Sequence, residues 1–356
     1  MQKLIFILAL ALGTMASYAG AKIEWSSLRH DFGAFNESTG AATARFVYRN
    51  SGDEALVILG ARANCGCTKP QYSAEILEPG DSATLTVTYD PEGRPGRFEK
   101  KIYVDSNTEP KRSTLTIPGV SIGTPATLSA RFPVEVGPMR MAHTAALLGA
   151  VNKGHVKSVF ESAYNASTDT IYPVVLSAPS WVEVKPMPAK VAPGEQTSFN
   201  FFISSQNIPE WDMVTDTVVL APFAGSGDVF KMPVVITVNE DFSQMKDQDL
   251  AKAPVALVSP SRLEPVVVGK EGGMGSFVIK NEGNSPLKIR RIYTRTSEVK
   301  TDANRNMSIK AGKSKKVNVV IPSSALNGAE ASAIVMTVVT NDPANPRTTV
   351  TIPIKR

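Results

Sequence analysis

The chain has 356 residues, 42% of them hydrophobic, and 38 Lys and Arg against 33 Asp and Glu give a formal charge of +5. A surplus this small, with basic residues scattered along the chain, argues against a nucleic-acid partner. Twenty-five Gly, 25 Pro and 7% aromatic residues suit short strands broken by turns and disfavour long amphipathic helices.

The first element in chain order is "MQKLIFILALALGTMASYAGA", in which Lys3 precedes an apolar run from Leu4 to Leu12 and then small residues. This pattern predicts a secretory signal over residues 1–21, cleaved after Ala19 or, preferably, Ala21. No cysteine stands at the cleavage point, so the expected product is soluble, unlipidated and periplasmic or secreted. The apolar run is well short of the roughly 20 residues that span a bilayer, and no later segment reaches that length, so a membrane-spanning chain is not expected.

The remainder is a repeat. Three times a strand ends in Asn and is followed by a Gly-containing turn, further strands and a closing apolar-Pro pair. From Asn50 to Gly80 is 30 positions, from Asn165 to Gly194 is 29, and from Asn281 to Gly312 is 31. From the same asparagines to Ile117, Met232 and Ile352 the distances are 67, 67 and 71. Upstream, Gly33 and Gly149 precede their Asn by 17 and 16 positions, whereas Gly269 precedes Asn281 by only 12, which predicts a shortened or shifted first strand in the third copy.

Each copy is close to a hundred residues of alternating strands such as "LTVTYD", "FVIKN" and "VMTVVT", with one face for a core and one for water. The expected fold is all-β: a tandem array of three immunoglobulin-like β-sandwiches over 24–124, 137–240 and 255–356. The polar segments 241–254 and 118–133 read as linkers. Asparagine at each strand end reads as a turn residue. "GKEGGMG" (269–275) reads as a hairpin turn, and the basic stretches "IRRIYTR" (289–295) and "KAGKSKKV" (310–317) as solvated or edge-protecting faces.

In the first copy, "HDFGAF" (30–35), "FVYRNSGDEALVI" (46–58), "CGCTKP" (65–70), "LEPGDSATLTVTYDPEGRPGRFEKKIYVDSN" (77–107) and "LTIPG" (115–119) occur in order. Over residues 24–120 this resembles the bacterial domain-of-unknown-function family 1573, itself similar to the immunoglobulin-like domains of the Hydin and major sperm protein group. The resemblance implies a sandwich fold and a habit of export in bacteria. It implies no activity.

The two cysteines, Cys65 and Cys67, are the only ones in the chain and flank Gly66 in "NCGCTKP", with Thr68 next. An oxidising compartment favours their disulfide. A ring closed over three residues constrains the unfolded chain by only about 1.6 kcal/mol on the loop-entropy estimate, so it is a weak staple. Extended residues two apart are near the upper span for a disulfide, and Gly66 is expected to supply the bend. A thiol-exchange role and a copper or zinc site on Cys65 and Cys67 remain alternatives. Further soft ligands are scarce, the histidines being His30, His143 and His155.

No nucleophile elbow, zinc-peptidase motif or phosphate loop is present, and Asp31 with Glu37 or Asp90 with Glu92 reads as turn carboxylates, so neither enzyme activity nor a cofactor is expected. "DSA", "DTI" and "DTV" resemble a short O-glycosylation pattern of some Gram-negative exporters, placing sugar on Ser82, Thr170 and Thr217. The expected role is that of a structural or adaptor module for a protein or glycan partner. The alternative is a thiol-redox or metal-handling protein.

Overall fold

A computed structural model of the chain describes residues 20–296, 298–303, 307–326 and 332–355; the signal expected at 1–21 lies, but for its last two residues, outside them. The fold is nearly all β, with 54% strand and 5% helix in several separate sheets. Among the described residues no helix is long and apolar enough to cross a membrane.

Eight strands form the N-terminal sandwich: β1 Ile23–Trp25, β2 Ala34–Asn36, β3 Ala42–Asn50, β4 Ile58–Ala63, β5 Thr68–Gln71, β6 Ser82–Tyr89, β7 Gly96–Ser106 and β8 Arg112–Ile122. They pair in two sheets, β1-β3-β6-β5 and β2-β8-β7-β4. Alternation decides the faces. On β3, Ala44, Phe46 and Tyr48 are buried, and across the core Ile102, Val104, Leu115 and Ile117 of β7 and β8 meet them. The short β2 runs parallel to the end of β8, with Ala34 opposite Val120 and Asn36 opposite Ile122. This pairing corrects the linker expected at 118–133: β2 recruits residues 120–122 as sheet, and the chain leaves the sandwich only after Ile122.

The chain continues through α1 Pro125–Leu128, β9 Val134–Val136, β10 Met139–Met141, β11 Ala146–Asn152, β12 Val156–Asn165, β13 Val174–Ser177, β14 Val182–Met187, β15 Gln196–Ser204, β16 Asp212–Ala221, β17 Phe230–Asn239 and α2 Asp247–Leu250. Helix α2 interrupts the linker expected at 241–254 with one helical turn. The last strands are β18 Ala256–Ser259, β19 Val266–Val267, β20 Gly273–Asn281, β21 Leu287–Thr294, β22 Lys300–Thr301, β23 Ser308–Ile309, β24 Ser314–Ile321, β25 Ala333–Thr340 and β26 Arg347–Lys355.

Two compact units divide the chain. One comprises Met1–Ala142, Ala163–Tyr172 and Lys190–Thr197; the other comprises His143–Ser162, Pro173–Ala189 and Ser198–Arg356. Within the first unit, β9 and β10 form a hairpin and β10 pairs with the end of β12, Met139 standing opposite Asn165. A small cluster of Leu128, Phe132 and Tyr164 packs beside it. Within the second unit, β11-β17-β16-β13 form one sheet. The C-terminal strands there form β18-β20-β24-β22 and β19-β26-β25-β21-β23 around Phe277, Ile279, Val317, Val319, Ile334 and Val350.

The repeat landmarks coincide in three dimensions. Asn50, Asn165 and Asn281 are the last residues of β3, β12 and β20 and are fully buried. In each copy an early strand runs parallel to the last: β2 with β8, β11 with β17, β19 with β26. In the third copy that strand has two residues, against three in the first and seven in the second, and Gly269 follows it, whereas Gly33 precedes β2 and Gly149 lies within β11. Gly269 and Gly272 exchange amide-to-carbonyl bonds in a turn before β20, as the glycine-rich stretch suggests.

Candidate functional site

The cysteine motif sits where the chain changes sheet. Strand β4 ends its ladder at Asn64, whose amide donates to the Lys101 carbonyl at 3.1 Å and whose Oδ1 accepts from the Lys101 amide at 3.3 Å. The next strand, β5, pairs with β6 at the edge of the opposite sheet. Cys65-Gly66-Cys67 makes the crossing, and the two sulfurs are bonded with their Cα atoms 5.4 Å apart.

Backbone bonds hold the crossing on both sides. The Thr68 amide donates to the Cys65 carbonyl at 3.4 Å, and the Asp90 amide to the Cys67 carbonyl at 2.9 Å. Thr68 is buried, and its hydroxyl lies 3.4 Å from Cys65 Sγ and 3.8 Å from Cys67 Sγ. Both cysteines are half-buried, Cys67 packing against the core. Gly66 departs from the sequence expectation. Its φ lies outside the left-handed region and a Cβ there would meet open space, so the bend does not depend on glycine. The turn is made by the change of sheet, which rotates the strand direction whichever residue stands there.

The histidines do not gather at this motif. His30 packs its ring 4.9 Å from that of Phe32, His143 Nδ1 is 2.7 Å from Glu161 Oε2, and His155 Nε2 is 2.7 Å from Asp241 Oδ2. Among the described residues no group of three or more His, Cys, Asp and Glu could hold a metal ion. Ser82 opens β6, Thr170 lies in the loop before β13, and Thr217 is mid-way along β16; all three are exposed.

The carboxylates singled out as acid pairs bind backbone. Asp31 Oδ1 accepts from the Gly33 amide at 2.9 Å and Asp90 Oδ1 from the Glu92 amide at 3.1 Å, both local turns. Glu37 does more than the sequence suggests. It is buried, accepts the Gly93 amide, and with Oε2 accepts the Thr124 amide at 3.3 Å and the Thr127 hydroxyl at 2.9 Å, fixing the start of α1. Nothing local in "NEST" marks that partnership, because its donors are 56 to 90 residues away.

The basic stretch 289–295 also departs from expectation. Arg290 pairs its Nε with Glu240 Oε2 at 2.7 Å and stacks its guanidinium 4.7 Å from the Trp211 ring centre. Arg291 donates from Nη1 to the carbonyls of Trp211 (3.0 Å) and Met213 (2.8 Å) and lies 3.4 Å from Glu210. Tyr293 donates its hydroxyl to Asp212 Oδ2 at 3.0 Å, and burial pushes its ionisation upward. These arginines are half-buried, so the solvated-face reading fails at Arg290 and Arg291. Lys310, Lys313, Lys315 and Lys316, by contrast, are exposed.

One exposed apolar patch lies outside the sequence expectations. On the sheet face turned away from the core, β12 presents Val156 (83% exposed) and Phe160 (64%), and the neighbouring β15 presents Phe202 (41%). Glu183 of β14 stands opposite Phe202. Its signal is an inverted alternation, "VKSVFES", in which apolar residues occupy the positions opposite in phase to the buried Glu161.

Residues 23–121 match the family described as "Protein of unknown function (DUF1573)", which covers the N-terminal sandwich. No curated protein matches the chain. A protein of unknown function from Porphyromonas gingivalis W83 is similar at 18% identity over 62% of this chain and 100% of its own, with a TM-score of 0.48. Protocadherin gamma B7 extracellular cadherin domains 1–4 align at 11% identity over 94% and 76%, with a TM-score of 0.27. An endo-fucoidan hydrolase of glycoside hydrolase family 107 aligns at 12% identity over 88% and 41%, with a TM-score of 0.26.

Proposed function

We propose that the chain is an exported, non-catalytic array of three immunoglobulin-like sandwiches that serves as a structural or adaptor module, binding a protein or glycan partner. The observation that carries this reading is the outward patch of Val156, Phe160 and Phe202. Single exposed apolar residues are ordinary on a protein surface. Three on adjacent strands of one face, two of them phenylalanines, favour a partner that buries them. Such side chains suit the apolar core of a protein interface, ringed here by polar neighbours such as Glu183 and Lys185.

A photo-crosslinking residue at position 160 tests this in the native host. A discrete adduct of higher mass is expected from position 160 and none from exposed Lys101 of β7. Identical adduct patterns from both positions would overturn the patch as the binding face.

A second reading is thiol exchange, or copper or zinc handling, through Cys65 and Cys67. It is supported by half-exposed cysteines with the Thr68 hydroxyl beside them, a donor able to stabilise a thiolate. Titration with a glutathione redox buffer tests it. A defined midpoint in the range of thiol oxidoreductases supports exchange, and stoichiometric metal on the reduced protein supports metal handling. A bond that resists reduction until the protein unfolds removes both.

A further inference from the structure

The chain-wide charge of +5 conceals a sharp asymmetry. Residues 255–356 contain sixteen Lys and Arg against seven Asp and Glu, a balance of +9, which leaves −4 for residues 1–254. Such asymmetry signals a polyanionic or membrane partner. Four of these basic residues, Lys280, Lys300, Lys315 and Lys316, lie on the strands of one sheet, β18-β20-β24-β22.

The core-facing residues of β20 and β24 are Phe277, Ile279, Val317 and Val319, so the alternate positions face away from the core. Register sets those positions side by side. Lys300 stands beside Val320, and Val320 beside Met274. Further along, Lys316 stands beside Val278 and Val278 beside Ser259; at the far end Lys280 stands beside Leu257. Lys310 and Lys313 extend the charge into the turn before β24. Met274 is 69% exposed, Val320 45% and Leu257 43%. Glu282, 2.9 Å from Lys280, and Asp302, bonded to Asn318, carry opposing charge. Lys300, Lys313 and Lys316 are exposed.

We propose that this face docks the chain on an anionic lipid surface, with the lysines meeting headgroup phosphates and Met274, Val320 and Leu257 entering the interface between them. Alternation of long cations with exposed aliphatic side chains on a broad sheet face suits peripheral adsorption, in which apolar contact and headgroup attraction add. The outward positions of the four strands hold no aromatic ring, which a single-stranded nucleic acid would use for stacking. The surface is separate from the Phe160 patch, so the two proposals fail independently.

Vesicle flotation of the protein as recovered from its host tests the proposal, with phosphatidylglycerol–phosphatidylcholine vesicles compared with phosphatidylcholine alone. Binding is expected only to the anionic vesicles and should fall with added salt. Each lysine near an anionic leaflet strengthens adsorption about fivefold, so Lys300→Gln, Lys313→Gln and Lys316→Gln together should weaken it by about a hundredfold. Met274→Ser with Val320→Ser should weaken it while leaving the salt dependence in place. The same neutralisation at Lys100 and Lys101 should change nothing, and unaltered far-ultraviolet circular dichroism verifies folding. Equal binding to both vesicle types, or equal loss from both lysine sets, would overturn the proposal. So would salt-sensitive retention on double-stranded DNA or on an acidic polysaccharide without vesicle binding, which would identify the polyanion as another class.

Discussion

The amide of Gly80 donates to the carbonyl of Asn50 at 2.9 Å, and the same bond recurs between Gly194 and Asn165 at 3.0 Å and between Gly312 and Asn281 at 2.9 Å. All three glycines have positive φ, a conformation that L side chains rarely adopt, so the repeat spacing is the spacing of a required turn. The asparagine side chains are bonded alike. Asn50 Nδ2 donates to the carbonyls of Glu54 and Leu77, Asn165 Nδ2 to those of Asp169 and Val191, and Asn281 Nδ2 to those of Ser285 and Ile309. Each Oδ1 accepts the amide two residues on.

Replacing Asn281 with Ala therefore leaves the Ser285 and Ile309 carbonyls and the Gly283 amide short of a partner in a buried site. A loss of about 2–4 kcal/mol in stability is expected by urea denaturation, and a similar loss for Asn50→Ala. A change under about 0.5 kcal/mol at both positions would show that water replaces these bonds.

The Cys65–Cys67 ring should contribute little to stability. Cys65→Ser with Cys67→Ser is expected to lower it by no more than about 2 kcal/mol, since three residues close a small loop. Alkylation of unreduced, freshly exported protein should label neither sulfur; two readily labelled thiols would contradict the bond.

Arg290 and Glu240 form a half-buried pair, with side chains 18% and 19% exposed, and Trp211 covers the guanidinium. Arg290→Ala should destabilise by about 2 kcal/mol, because Glu240 is left without its charge partner in a partly desolvated place. A double-mutant cycle with Glu240→Ala should return a coupling of about 1–2 kcal/mol. Strict additivity would mean that the pair is structurally incidental.

Acid should act on Asp241. The Ser243 amide, then its hydroxyl, then His155 hold this carboxyl down to about 2 from its ordinary 3.8. A depressed folded-state pKa contributes stability that is complete above the unfolded value and is lost as pH falls toward the folded one. The melting temperature of the wild type should therefore fall more steeply between about pH 4 and pH 2 than that of Asp241→Asn. Parallel curves would assign no such role to Asp241.

Glycan on Ser82, Thr170 and Thr217 should be visible as hexose-containing peptides by mass spectrometry of protein from the native host, since all three hydroxyl-bearing residues are exposed. Bare peptides at all three sites would end that expectation.

The β class, the threefold register and the turn glycines are legible in the amino-acid order alone, because each is a local matter: alternation fixes which side of a strand is apolar, and positive φ selects glycine within a few residues. Asn50, Asn165 and Asn281 stand out there as repeat landmarks, but their burial does not, since the carbonyls of Leu77, Val191 and Ile309 lie 26 to 28 residues onward. Only the folded chain decides that Glu37 anchors α1, that Arg290 and Arg291 turn inward, and that Phe160 turns outward. It also places Lys300, from one strand, and Lys316, from the next, on a single face with Met274. These are contacts between segments far apart in sequence, and burial there depends on which sheet a strand joins, a choice that alternation within the strand does not record.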